Sequence, residues 1–260
     1  MKCSEIISFL EKKYPPSCAE DWDNVGLLAG SDQKSVEKIF LALDLTEDTL
    51  EQACAFGADM VITHHPMIFS GMKKINNHTF TGRRILRLIQ EDISYYAMHT
   101  NYDVMGMAKE SADRIQLQEQ QVLSVTSEQD GREEGFGRVG NLKEVLPLGA
   151  YAECIKKWYQ LSDVRVYGNL EQMVKRAAIC TGSGKSFLKE AIRAGADVYV
   201  TGDIDHHTGI DAVAQGIAVI DAGHYGTEYI FAENMQKVLK EAFPGLLVKT
   251  AEVKVPYTVL

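Results

Sequence analysis

The chain reads as an α/β protein of two lobes built on parallel-strand-rich sheets, and three observations carry that reading. An internal repeat appears when the sequence is slid on itself by 138 positions, bringing Lys38 onto Arg176. Short apolar runs alternate with segments of helical period, the pattern of βαβ units. Histidines and acids gather where the apolar runs end, which in parallel α/β sheets is where ligands bind.

In the repeat, KIFLALDLTEDTLEQACAFGADMVITHHP from Lys38 falls on RAAICTGSGKSFLKEAIRAGADVYVTGDI from Arg176. Leu50 meets Leu188, Ala53 meets Ala191, Gly57-Ala58-Asp59 meets Gly195-Ala196-Asp197, and Thr63 meets Thr201. Each copy is an apolar run, a turn, a helical segment ending at glycine and a second apolar run, so the repeated unit is βαβ.

Taken in order, Cys3 to Lys13 is expected as a helix. The helix from Glu47 to Phe56 carries Leu50, Ala53 and Cys54 on one face, and its twin carries Leu188, Ala191 and Ile192, so both should cover a sheet. Gly57 and Gly195 stand where a left-handed helix end is wanted. Arg83 to Gln90 is a further helix. The run Ile93 to Met98 leads into His99-Thr100-Asn101-Tyr102-Asp103, and Ile217 to Ile220 leads into Asp221-Ala222-Gly223-His224. Thr227 to Phe243 presents Phe231, Met235, Val238, Leu239 and Ala242 on one face before Pro244-Gly245 ends the helix. Ser127 to Gly140, glycine-rich and charged, is expected to connect the halves. The expected lobes are residues 1–126 plus 223–260, with most of the candidate ligands, and 127–222.

Composition narrows the function. With 45% hydrophobic and 24% charged residues in 260, the chain is long enough for two modest domains. It has no apolar run of the length a membrane helix needs and no secretory-signal order at its start, so a cytoplasmic protein is expected. Five scattered cysteines without a C-x-x-C pair argue against a disulfide framework and a thiolate zinc site. A net charge of -9 disfavours broad contact with a nucleic-acid backbone and favours small substrates.

Successive side chains of a regular strand point to opposite faces, so His64 and His65 converge only if the strand ends there, and Pro66 ends it. One imidazole can then reach each of two metal ions, with Asp103 or Glu228 as a bridging carboxylate. H-Y-G-T-E places His224 before a helix, Glu228 in its first turn and Thr227 as N-cap. Imidazole and carboxylate donors suit Zn²⁺, Mn²⁺, Fe²⁺ or Co²⁺ better than Ca²⁺ without choosing among them. Blander readings stand beside these. A histidine after a strand is usually a polar cap. Asp103 is also a turn former, and Glu228 also suits the helix dipole. His206 and His207 are either acid–base groups lining the cavity or ordinary loop residues. Gly182-Ser183-Gly184-Lys185-Ser186 lacks the first glycine of a phosphate loop, where Cys180 stands. It reads as a strand-to-helix turn, with anion binding on its backbone N–H groups as the competing reading.

Seven motifs together resemble one family: W-D-N-V-G-L from Trp22, A-L-D from Ala42, T-H-H-P from Thr63, H-T-N-Y-D from His99, G-F-G-R-V-G from Gly135, T-G-D-I-D-H-H from Thr201 and G-H-Y-G-T-E from Gly223. It is the GTP cyclohydrolase 1 type 2 homologue family, also called Ngg-interacting-factor-3-like, and the motifs run in family order along nearly the whole chain. The resemblance implies two interwoven α/β lobes, a homohexameric ring, and two divalent metal ions per chain held by His64, His65, Asp103, His224 and Glu228. It also implies a metal-dependent hydrolase, opening the guanine ring of GTP with release of formate. His99, His206 and His207 are then the candidate catalytic groups. A nucleotide phosphoesterase and a non-catalytic metal-binding or regulatory ring are the alternatives. The domain that some members insert between the halves is absent from the short connection here.

Overall fold

The computed structural model of the protein describes residues 1–129 and 131–259. The described residues form eleven strands: β1 (Gly26–Ala29), β2 (Lys38–Ala42), β3 (Met60–Thr63), β4 (Ser94–Ala97), β5 (Gln118–Gln129), β6 (Arg132–Pro147), β7 (Arg165–Tyr167), β8 (Met173–Ile179), β9 (Val198–Thr201), β10 (Ala218–Asp221) and β11 (Leu247–Thr250). They make two mixed sheets, of order β1-β4-β3-β2-β11 and β5-β6-β8-β9-β10-β7. The chain divides into two compact units, one of Met1–Tyr102 with Tyr229–Lys254, the other of Asp103–Glu228 with Val255–Leu260.

In the first unit β4, β3, β2 and β11 run parallel, and β1 closes the edge antiparallel to β4. All four residues of β3 and of β4 are buried, which is why these strands read as continuous apolar runs. The helix Glu47–Phe56 lays Leu50 and Ala53 into a core with Phe40, Val61, Leu88 and Tyr95. The helices Cys3–Lys13 and Phe80–Gln90 also belong to this unit, the second starting one turn earlier than its sequence pattern because Thr79 caps it through the Gly82 N–H.

In the second unit β8, β9 and β10 are parallel, flanked by antiparallel β6 and β7. The repeat extends to individual hydrogen bonds. Asp59 Oδ2 accepts from the N–H groups of Glu37 and Lys38, and Asp197 Oδ2 from those of Lys175 and Arg176. Lys38 Nζ donates to the Phe56 carbonyl, and Arg176 Nε to that of Ala194. Each aspartate thus ties the start of its own strand to the neighbouring parallel strand. Gly57 and Gly195 end their helices at φ of 69° and 70°, in the left-handed region.

Two expectations need correcting. Ser127–Gly140 is no loose connection: its described residues belong to the β5–β6 hairpin, with register running from Gln129↔Arg132 to Gln118↔Asn141. Gly135 and Gly140 answer to packing, since a Cβ on Gly135 would lie 1.9 Å from the Ser124 carbonyl and one on Gly140 2.5 Å from that of Gln118. The expected helix Thr227–Phe243 is instead a short helix His224–Glu228 followed by Ile230–Ala242.

Candidate metal centre

In the first unit the backbone of β3 carries on past its end, with His64 N–H donating to Ala42 and His65 N–H to Leu43. Buried Tyr95 then holds the turn: its hydroxyl accepts from Met67 N–H at 2.8 Å and reaches the His65 carbonyl at 3.1 Å. Burial pushes that phenol up to about 12, so it stays a neutral hydrogen-bonding group. Both histidines consequently face one place, joined by His99 from the segment after β4. The three rings lie 5.0, 5.3 and 5.5 Å apart, and one nitrogen from each falls within 4.8 Å of the others.

The Nδ1 atom of every one of these rings is already committed. His64 Nδ1 donates to the Met98 carbonyl at 2.8 Å, His65 Nδ1 to Asp44 Oδ1 at 2.8 Å, and His99 Nδ1 to Asp23 Oδ1 at 2.9 Å. A carbonyl can only accept, so His64 carries its proton on Nδ1 and presents the Nε2 lone pair. This is the arrangement in which metal-bound histidines are oriented and made more basic by their outer partners. Asp23, its side chain fully buried, also accepts from the Thr100 N–H and hydroxyl. Burial works to raise its pKa, but the bonds from His99 and Thr100 outweigh that and bring it down to about 2.

The second unit repeats the device. His224 Nδ1 pairs with Asp203 Oδ2 at 2.8 Å, and its Nε2 lies 2.9 Å from Glu228 Oε2. Burial lowers its pKa, but the carboxylates of Glu228 and Asp203 prevail and push it up to about 9. The ring is thus held between two carboxylates, one at each nitrogen. Glu228 is buried, and one of its carboxylate oxygens lies within 4.8 Å of one from Asp103, which opens a π-helical turn, Asp103–Met107. Gly182, at φ 63°, makes room: a Cβ there would lie 2.0 Å from Glu228 Oε1. Asp221 braces the turn before His224, accepting from Gly223 N–H and Ile204 N–H. A cavity of about 460 Å³ opens beside His224, with Arg165, Asp163 and Tyr257 among its walls.

Some assignments change. Thr227 is not an N-cap, because the helix already starts at His224; its hydroxyl accepts from Gly182 N–H and reaches back to the Gly223 carbonyl. The G-S-G-K-S segment is the strand-to-helix turn expected, but Gly182 and Gly184 N–H are occupied by the Thr227 and Thr201 hydroxyls, which removes them as an anion cradle. His206 and His207 lie exposed in the first turn of the helix His206–Ala214, outside the groups of His, Asp and Glu that could hold an ion among the described residues. The residues that sequence reasoning left without a role are Asp44, Asp23 and Asp203, the outer partners of the imidazoles.

The donors fit a divalent metal. They are imidazole nitrogens and carboxylate oxygens, and the nearby Cys180 thiol is no competitor. Burial, then the charges of Asp103 and Glu228, push it up, so it remains S–H.

Fold and donors together define an α/β protein whose histidines and carboxylates could hold a metal ion. The sequence model of Duf34/NIF3 (NGG1p interacting factor 3) matches residues 1–256, and the chain belongs to that family. A Clostridium perfringens relative, named GTP cyclohydrolase 1 type 2 homolog, is 34% identical over 242 residues, 93% of this chain and 92% of its own. Among solved structures, Staphylococcus aureus SA1388 matches with a TM-score of 0.92 and 30% identity, covering 100% of this chain and 99% of that one. Reduced HcgD from Methanocaldococcus jannaschii matches with a TM-score of 0.81 and 29% identity, covering 96% and 97%. No helix among the described residues is long and apolar enough to cross a membrane.

Proposed function

We propose that the protein is a dinuclear metal-dependent hydrolase acting on a nucleotide such as GTP, with two divalent ions held by His64, His65, Asp103, His224 and Glu228. The observation that carries this reading is the Nδ1 pairing of the histidines with Met98, Asp44 and Asp203, which turns each Nε2 into a ready donor. The relatives' name supplies the substrate class. When bound, the ion pair supplies water of lowered pKa and neutralises negative charge that develops on the reacting group.

The chain's own residues do the rest. Asp44 and Asp203 hold His65 and His224 in the ligating tautomer. His99, steadied by Asp23 through Nδ1, serves as the general acid for the departing nitrogen of the opened ring. Assembly as a homohexamer in the cytoplasm completes the proposal.

Elemental analysis of the purified protein and of Asp103→Ala, together with a GTP-to-formate assay, tests it. About two ions per chain, lost in the variant along with formate release, is the expected result. Ions without turnover on GTP would move the protein to the phosphoesterase or non-catalytic class, and a chain that takes up no ion would sink the reading. Light scattering reads the assembly.

A further inference from the structure

Two large aromatic side chains stand more than half exposed beside the histidines of the first unit: Trp22 at 57% and Phe69 at 52%. They are not scattered. Their rings are 5.7 Å apart with planes inclined by 31°, and both approach His99, at 6.0 and 6.2 Å. An isolated exposed aromatic needs no explanation, but a contiguous pair facing water next to a polar cluster does.

The loops under the pair are fixed. The carboxylate of Asp23, next to Trp22, is buried and accepts from His99, from Asn24 N–H and from both Thr100 donors. Glu20 N–H, two residues before Trp22, donates to the Thr100 hydroxyl. Asn24 Nδ2 donates to the carbonyl of Ile68, the residue before Phe69, at 2.6 Å and so ties the two loops together. Each aromatic therefore sits one position from an anchored residue, and its backbone is ordered before any ligand arrives.

We infer that Trp22 and Phe69 form a stacking platform for the planar heteroaromatic ring of the substrate, a nucleobase, with His99 at the ring's edge. A ring laid on the pair buries its apolar face and leaves its polar edge to the imidazoles, the way single bases are held on aromatic side chains. A protein partner is the poorer occupant, since two side chains supply far less than the roughly 800 Å² per side of a stable interface. The inference rests on the hydrolase reading only for where the ring's reacting atom is aimed, because stacking itself needs no ion.

The chain has two tryptophans, so Trp158→Phe leaves Trp22 as the sole reporter. In that background GMP should quench the emission saturably, and ribose 5-phosphate, the same charge without the ring, should not. In equilibrium dialysis Trp22→Ala and Phe69→Ala should each weaken GMP binding about tenfold, with Trp22→Phe retaining most of it and the metal content of all three unchanged. Wild-type GMP affinity in Trp22→Ala, or ribose 5-phosphate binding as well as GMP, would overturn the platform. So would a changed oligomer size in Trp22→Ala at unchanged GMP affinity, which would mark a contact between copies. A chain without metal that still shows the GMP quench would fail the hydrolase reading and keep the platform.

Discussion

Asp44 and Gly182 occupy the same place in the two copies of the repeat, and the difference between them shapes both donor sets. In the first unit that place holds a carboxylate, which grips His65 Nδ1. In the second a glycine leaves room that the Glu228 carboxylate enters. His65 itself falls on Asp203, so the imidazole of one copy is replaced by the imidazole's partner in the other. Asp44 is about half exposed, and removing it should leave the fold intact while freeing the His65 ring. Asp44→Ala is expected to weaken metal binding about 10- to 100-fold, read by competition with a chelator of known affinity. Asp23 gives a test of a different kind. Its folded pKa, about 2, lies below the usual carboxylate value, so its stabilising effect is complete above about pH 4 and fades as pH falls towards 2. Urea midpoints should separate wild type from Asp23→Asn at pH 6 and converge near pH 2.

At the scale of elements, the helices Cys3–Lys13 and Glu47–Phe56 were legible to the residue, because one-face apolar spacing coincides with local capping. The hairpin at Ser127–Gly140 was not, since glycine and charge look the same whether a segment is a loop or a strand whose neighbours crowd its backbone. The five metal-ligand candidates were visible as residue types at strand ends. The carboxylates that orient the imidazoles were not, because Asp203 and Asp44 each lie 21 positions from His224 and His65, and Asp23 lies 76 from the catalytic candidate His99, distances that only the fold closes. The repeat supplies a paired test. Gly57 and Gly195 share a left-handed φ, and a methyl group would meet only the Lys38 ammonium, at 3.4 Å, in one and open space in the other. Backbone strain alone is left, so Gly57→Ala and Gly195→Ala should each destabilise by about 1 kcal/mol in denaturant titrations, with equal values within error. A large inequality would mean that the two helix ends are not equivalent.

For the whole molecule, the proposed ligands are divided between the compact units: His64 and His65 in the first, Asp103, His224 and Glu228 in the second. An ion that binds only the folded chain stabilises it by about 2.7 kcal/mol at a hundredfold excess over its Kd. For a chain of this length that is roughly 5 to 10 °C in Tm. If both donor sets serve one ion pair, the increment belongs to the molecule and not to either unit. His64→Ala, in the first unit, and Glu228→Ala, in the second, should then each abolish nearly the whole metal-dependent rise, and chelator should lower the wild-type Tm to the variants' metal-independent level. Units that bound their ions separately would behave differently: each variant would keep about half of the rise, and the wild-type transition would split into two as metal is withdrawn. Scanning calorimetry with and without added Zn²⁺ or Mn²⁺ distinguishes the two outcomes, and a retained half-increment in either variant would break the single-centre assignment.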